Sequence, residues 1–457
     1  MRTRKESDSV GTLDIPSNAY YGVQTLRGFE NFQITGKKMN YDFIKNIVLI
    51  KKAAAKVNGQ YGYVQKEIAD AIICACDEVL DGKWKEQFIT DAIQGGAGTT
   101  VNMNVNEVIA NRATELLGGK KGQYLCHPND HVNHAQSTND VIPSAGKLTV
   151  LKLADELLES LEVLIRELMN KAQEFDGIIK MGRTQLEDAV PIRLGQEFNA
   201  YASALKRDHK RIQNTLQEMH VLNLGGTAIG TSVNAGAKYV ESIVGILSEE
   251  CGRELIKADD LIDATQNVDS FVVVSGSLKA CAVNLSKMCN DLRLMSSGPK
   301  TGFVEITLPA KQHGSSIMPG KVNPVIPEVV SQVAFLVMGN DTTIVMAAEA
   351  GQLELNAFEP VIFYKLFESL TCLSNAIKTL TVNCIMGITA NEKRCENLLE
   401  SSVGIVTARC PYLGYKKSAE LAKEALAKDV KIRELILQYG LIEPELLEKI
   451  LDPYAMT

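Results

Sequence analysis

The stretch "FVVVSGSLKACAVNLSKMCNDLRLM", running from Phe271 to Met295, decides the fold class. Phe271, Val274, Leu278, Cys281, Leu285, Met288, Leu292 and Met295 recur at alternating steps of three and four residues. Such steps place all eight side chains on one stripe of an α-helix and on no single face of a strand. At ~1.5 Å per residue the stretch is a rod about 40 Å long. A rod of that length does not belong in a compact α/β domain and reads as one stave of a helical bundle.

Two further segments repeat the pattern. Phe363, Leu366, Leu370, Leu373, Ile377, Leu380 and Cys384 form one stripe, and Leu157, Leu161, Leu164, Leu168 and Ala172 form another. Both ends of the chain differ. The first 139 residues carry Gly- and Asn-rich turns ("QGGAGTT", "HPNDHVNH"), and the tail from Asn391 is a charged run of short helices closing on "DPYAMT". The predicted architecture is all-α, mainly helical, in three domains: residues 1–139, a long central bundle over 140–390, and a small helical domain over 391–457. There is no low-complexity segment and no repeat with a 20–50 residue period.

With 457 residues, 45% of them hydrophobic, and a net charge of −7, the chain has ample core material and no basic surface for nucleic acid. The opening "MRTRKESDSV" is not a signal sequence, and no run approaches the roughly 18 apolar residues of a membrane helix. A cytoplasmic location is expected. Ten cysteines without a CxxC pair, with Cys74, Cys281 and Cys289 among apolar helical positions, read as buried free thiols.

Several polar segments interrupt the rods. "QGGAGTTVNMNVNEVIANRA" sets a glycine turn and Thr99 and Thr100 before a helix, which suits either an anion site or a plain helix cap. "NHAQSTNDVIP" gathers Gln136, Ser137, Thr138, Asn139 and Asp140, donors and acceptors fit to grip a carboxylate or an amine, or again to cap a helix. His127, His131 and His134 have metal-like spacing. Pro128 and Asn129 are expected to break the helix that i, i+4 ligation needs, and no HExxH glutamate is present, so no metal site is predicted. "MGRTQLEDAVP" (181–191) and "GGTAIGTSVN" (225–234) read alone as loops.

"HGSSIMPGKVNP", His313 to Pro324, carries two adjacent hydroxyls, a lysine, two glycines and two prolines. It reads as a loop shaped around Ser315 and Lys321. A serine-hydrolase reading fails because Ser315 lacks the GxSxG elbow.

Taken together, these segments resemble the fumarase/aspartase superfamily. "GSSIMPGKVNP" matches its signature loop and arrives with "QSTND", "GRTQLEDAVP" and the opening "DIPSNAYYGVQTLRGFENFQITG" in the family's order, over essentially the whole chain. "GNDTTIVMAAEAGQLELN" and "GITANEKRCE" look like the ammonia-lyase side of the family, and "QSTND" stands where fumarases usually have "QSSND". The resemblance implies reversible elimination of ammonia from L-aspartate to give fumarate, without an organic cofactor. It also implies a homotetramer whose sites are each built by three chains. An activating divalent ion such as Mg is compatible with this picture and carries no motif.

The same resemblance implies residue roles. Ser315, deprotonated, is the base. Thr99, Ser137, Thr138 and Ser316 hold the β-carboxylate, Lys321, Asn323 and Thr184 hold the α-carboxylate, and Asn139 holds the amino group. Gln185 stands where fumarases, and some aspartases, carry histidine, and Ser232 where a glycine is common. An amide cannot shuttle protons, which favours loss of an ammonium that already carries its proton over loss of water. Two alternatives stay open on these residues: a fumarate hydratase on the same scaffold, and a catalytically silent helical scaffold.

Overall fold

A computed structural model describes residues 2–402, 404, 410–428, 430–450 and 457. The chain is mainly helical. The long helices are Thr138–Glu174, Leu194–Thr215, Asp269–Met295, Val325–Glu349 and Glu359–Asn383. Strands occur as short two-stranded pairs. The stripe from Phe271 to Met295 is buried at every position, as is the stripe from Phe363 to Cys384. On the third stripe the four leucines are fully buried and Ala172 is half-buried.

Compactness divides the chain into two units, residues 1–157, 211–280 and 336–372, and residues 158–210, 281–335 and 373–457. In the first unit, helices Tyr41–Gln60, Lys66–Leu80, Thr99–Leu116 and Ala237–Cys251 pack on one another. Asn40 starts the first of these by accepting the Asp42 amide hydrogen at 2.8 Å, a side-chain cap for an otherwise free donor. The Phe43 ring packs 5.4 Å from that of Phe363, which in turn meets Phe271 edge-on at 5.2 Å. Glu107, almost fully buried, accepts from the Gly22, Gln24 and Thr25 amides and the Thr25 hydroxyl. That carboxylate anchors the start of helix Val23–Asn31.

In the second unit, Ile179–Thr184 pairs with Glu187–Arg193 as an antiparallel hairpin. The segment expected to be a loop is therefore a hairpin with a two-residue turn at Gln185 and Leu186. Both turn residues have positive φ, 57° and 68°, the region a tight hairpin demands and usually fills with Asn-Gly. Below the turn, Lys180 bonds Glu197 at 2.9 Å and lies 3.0 Å from Glu305, which also accepts from Arg183 at 2.7 Å. A separate small core gathers Leu421, Leu435, Ile436 and Leu447. Residues 451–456, most of the closing "DPYAMT", lie outside the described residues.

Three local expectations need correction. Cys74 is exposed, because helix Lys66–Leu80 buries the face carrying Ile72, Ala75, Cys76 and Val79. The histidine segment does not break. Pro128–Val132 forms one π turn, in which His127 Nδ1 accepts the Asp130 amide and His131 Nδ1 accepts the His127 amide. One helix, Val325–Glu349, is by length and composition apolar enough to cross a membrane. It nonetheless buries Asn340, which bonds Ser369 at 3.1 Å, and Asp341, which accepts from Ser275 at 2.7 Å.

Candidate active site

In the first unit, Gly96, Ala97 and Gly98 all have positive φ and bring the chain sharply into helix Thr99–Leu116. A Cβ on Gly98 would stand 3.0 Å from Ile142, so the turn lies directly against helix Thr138–Glu174. Thr99 does not cap its helix. Its hydroxyl donates to the Gly96 carbonyl at 2.7 Å.

The second helix begins at Thr138, and Asn102 Nδ2 reaches Thr138 Oγ1 at 3.5 Å. Two helix starts thus meet, each with partial positive charge from its free amides. "QSTND" is also a cap: Asp140 Oδ1 accepts the Ser137 amide at 2.9 Å, and Ser137 Oγ accepts the Asn139 amide at 3.3 Å.

Asp140 does more. Fully buried, it accepts from the Gly225 and Thr227 amides at 2.9 and 3.3 Å. Burial pushes its carboxyl above the usual range, and the Ser137, Gly225 and Thr227 amides oppose that shift. The clasp ties "QSTND" to the "GGTAIGTSVN" bend, reinforced by Asn223 Nδ2 donating to the Asn139 carbonyl at 3.0 Å. In that bend Ser232 adopts φ 58° and its amide donates to the Gly226 carbonyl at 2.7 Å, so serine takes the backbone position that suits glycine. Asn139 Nδ2 donates to the Ala228 carbonyl at 2.7 Å. That bond fixes which end of the amide is nitrogen, so the other end is an oxygen able to accept from a donor such as an ammonium.

In the second unit, the 313–324 loop is closed by an antiparallel bridge between His313 and Val322. The Gly314 amide donates to the Lys321 carbonyl at 2.8 Å, and Asn323 Nδ2 donates to the Gly314 carbonyl at 2.9 Å. A Cβ on Gly314 would stand 2.7 Å from the Lys321 carbonyl, so only glycine permits this crossing. Inside the loop, Ser315 Oγ accepts the Ile317 amide at 3.2 Å and the Met318 amide at 3.1 Å. Ser316 and Lys321 are exposed, as are Thr184 and Gln185 at the hairpin tip. Among the described residues the Lys321 ammonium makes no ion pair.

Thr99, Ser137, Thr138 and Asn139 accordingly belong to the first unit, and Thr184, Gln185, Ser315, Ser316, Lys321 and Asn323 to the second. Among the described residues no group of three or more His, Cys, Asp or Glu side chains is placed to hold a metal ion.

Comparison with known proteins decides the family. The profile of the family described as Lyase matches residues 11–339, and that described as Fumarase C C-terminus matches 405–457. The chain belongs to the fumarase/aspartase superfamily.

Within the superfamily, it is 52% identical to an aspartate ammonia-lyase of a Bacillus species, an alignment covering 99% of this chain and 97% of that one. The structure of a fumarate lyase:delta crystallin from Brucella melitensis bound to cobalt is 48% identical with a TM-score of 0.96, covering 99% of each chain. A class II fumarase from Schistosoma mansoni has the same TM-score at 35% identity, covering 100% of this chain and 99% of that one. The loop closed by Gly314 and Asn323 falls within the range matched by the Lyase family. Sequence reading named the polar residues at both helix starts but missed what fixes them: the Asp140 clasp, Asn102 behind Thr138, and Lys51 deeper still. Lys51 and Asn58 stand on the face of helix Tyr41–Gln60 that also holds Ile44, Ile47, Val48, Ala54 and Ala55, all buried. A lysine on an apolar helical face is the signal that was there to find.

Proposed function

We propose that this enzyme catalyses the reversible deamination of L-aspartate to fumarate and ammonia. The observation that carries the reading is 52% identity to an aspartate ammonia-lyase along essentially the full length of both chains, against 35% to the fumarase.

Ser315 is the base in this reading. Its alkoxide removes a Cβ proton, the electron pair flows into the β-carboxylate to give an aci-carboxylate, and collapse of that species expels ammonia from Cα. A serine alkoxide is accessible only where donors stabilise it, and the Ile317 and Met318 amides already point at Ser315 Oγ. Thr99, Ser137, Thr138 and Ser316 hold the β-carboxylate, where each preorganised donor contributes ~3 kcal/mol to the transition state. Lys321, Asn323 and Thr184 hold the α-carboxylate, and the Asn139 oxygen receives the ammonium. Gln185, held in a strained turn, supplies a hydrogen bond and no proton, which suits ammonium as the leaving group.

The active form in this reading is a homotetramer with composite sites in the cytoplasm. Support comes from site residues that lie open in the single chain and from exposed apolar side chains on helix Val325–Glu349, Phe335 at 61% and Met346 at 67%. The reaction as drawn uses no cofactor, and a divalent ion such as Mg enters only as an activator. The deciding experiment follows fumarate absorbance with purified enzyme. Fumarate from L-aspartate and not from L-malate supports the reading, fumarate from L-malate alone makes the protein a hydratase, and fumarate from neither makes it a silent scaffold.

A further inference from the structure

We propose that Lys51, Asn133 and Asn102 are positioning residues that fix the direction in which the Thr138 hydroxyl donates its hydrogen. The proposal rests on the reading above that Thr138 holds the substrate's β-carboxylate. Its content is a chain of hydrogen-bond directions in which each step forces the next.

The chain starts at Lys51, fully buried in helix Tyr41–Gln60, whose Nζ lies 2.8 Å from Asn133 Oδ1. The other end of the Asn133 amide fixes which atom faces Lys51, since Asn133 Nδ2 donates to the Gln136 carbonyl at 3.1 Å, an atom that only accepts. The atom facing Lys51 is therefore the oxygen, and Lys51 donates to it whether its amine is charged or neutral.

With Asn133 Oδ1 fixed as an acceptor, the side chains that converge on it must present nitrogen. Asn102 Nδ2 lies 3.2 Å away and Asn106 Nδ2 3.1 Å away. The second hydrogen of the Asn102 amide then points to Thr138 Oγ1, at 3.5 Å. A threonine oxygen that receives that hydrogen has to turn its own single proton away from Asn102. An unconstrained threonine hydroxyl rotates freely and offers a carboxylate its lone pairs as readily as its proton. A directed one is a donor before the substrate arrives.

Stability does not account for this arrangement. Burial draws the Lys51 ammonium down to about 7, with Asp140 and Cys76 opposing that shift from a distance. Among the described residues Lys51 has no ion pair, and a buried lone cation is worse for stability than an apolar side chain of similar length. Asn102 Oδ1 and Asn106 Oδ1 are buried and meet no protein donor among the described residues. The cluster gives up stability at Lys51 and gains a direction at Thr138.

The test is a set of double-mutant cycles on the full-length enzyme, reading kcat, KM for L-aspartate and Tm. Lys51→Met and Asn102→Ala are made alone and in a Thr138→Val background. Each single variant is expected to raise KM about fivefold, the worth of one hydrogen bond, and neither is expected to raise it further once Thr138 is valine. Lys51→Met is also expected to keep or raise Tm while it raises KM, a split that a structural role does not produce. Effects on KM that multiply in the Thr138→Val background overturn the proposal, as does a Lys51→Met variant with unchanged KM. If Thr138→Val itself leaves KM unchanged, the assignment of Thr138 to the carboxylate falls instead and the relay falls with it. Should Asn102→Ala fail to fold, the Lys51→Met cycle decides alone.

Discussion

Ser315 Oγ stands 3.1 Å from the Met318 amide nitrogen and accepts its hydrogen, with the Ile317 amide beside it at 3.2 Å. Two donors on one oxygen favour its charged form. Ser315→Ala is therefore expected to lower kcat by several orders of magnitude while L-aspartate still binds, because only an interaction made in the transition state is removed. Steady-state kinetics and substrate titration check both halves. A variant that keeps about a tenth of wild-type activity removes Ser315 from the role of base.

Lys321 projects from a loop whose backbone crossing at Gly314 fixes its base, and its ammonium stands without an ion pair among the described residues. As a point charge for a carboxylate it is expected to control affinity. Lys321→Ala should raise KM strongly, and Lys321→Arg should rescue little, because a planar fork needs different space from a compact ammonium. An unchanged KM in the alanine variant makes Lys321 a solvated lysine and nothing more.

Gln185 sits at φ 57° beside Leu186 at 68°, in a turn that confines its side chain to one side of the hairpin tip. Ammonium leaves with its proton already in place, so Gln185→His should not raise deamination as much as about tenfold, and it should admit a trace of malate dehydration. A large gain with L-aspartate shows instead that proton delivery had been limiting.

The buried lysine makes stability depend on pH with a definite sign. Between about 7 and its ordinary value of 10.5, Lys51 holds its proton in the unfolded chain and has released it in the folded one. The unfolded state binds more protons there, so this group's contribution to stability improves as pH rises through that window and its burial cost is felt in full below it. Lys51→Met removes the cost. Its gain in stability, of order a few kcal/mol at pH 6.5, should shrink toward zero by pH 10. Urea denaturation at the two pH values measures the difference, and an equal gain at both contradicts the burial argument.

The proposed composite sites make a prediction about mixtures. Asn139→Ala and Ser315→Ala are each expected to be inactive, with the damage in different units of the fold. Co-refolded in equal amounts, random tetramers should regain roughly a quarter of wild-type activity, since that share of sites draws both native segments from suitable chains. Mixed tetramers as inactive as their parents would show that the two segments of a site come from one chain.

How much of this was legible depended on how local each signal is. The stripes of Phe271–Met295 and Phe363–Cys384 were legible because a three-four repeat sustained over many turns has one geometric solution. The 179–193 hairpin was not, because its turn is Gln-Leu, and nothing in those residues announces two positive φ angles the way Asn-Gly does. Ser137, Thr138 and Asn139 were visible as a polar cluster. Their clasp to the 225–234 bend was not, since Asp140 meets Gly225 and Thr227 only after some eighty-five residues of intervening chain have folded. Lys51 lay hidden in "IKKAAAK", where adjacent lysines look like a solvated face and only the helical phase tells Lys51 from Lys52.

Each of the five boundaries between the two compact units falls inside one of the five long helices, and each unit is assembled from three separated stretches of chain. No single cut of the polypeptide separates one unit from the other, and any terminal fragment long enough to hold all of one unit carries whole stretches of the other. Modular inheritance is thereby closed to this architecture: a stretch borrowed by gene fusion never brings one unit without parts of the other. New chemistry on such a scaffold has to come by changing residues where they stand, at positions like Gln185 and Ser232, and not by exchanging domains.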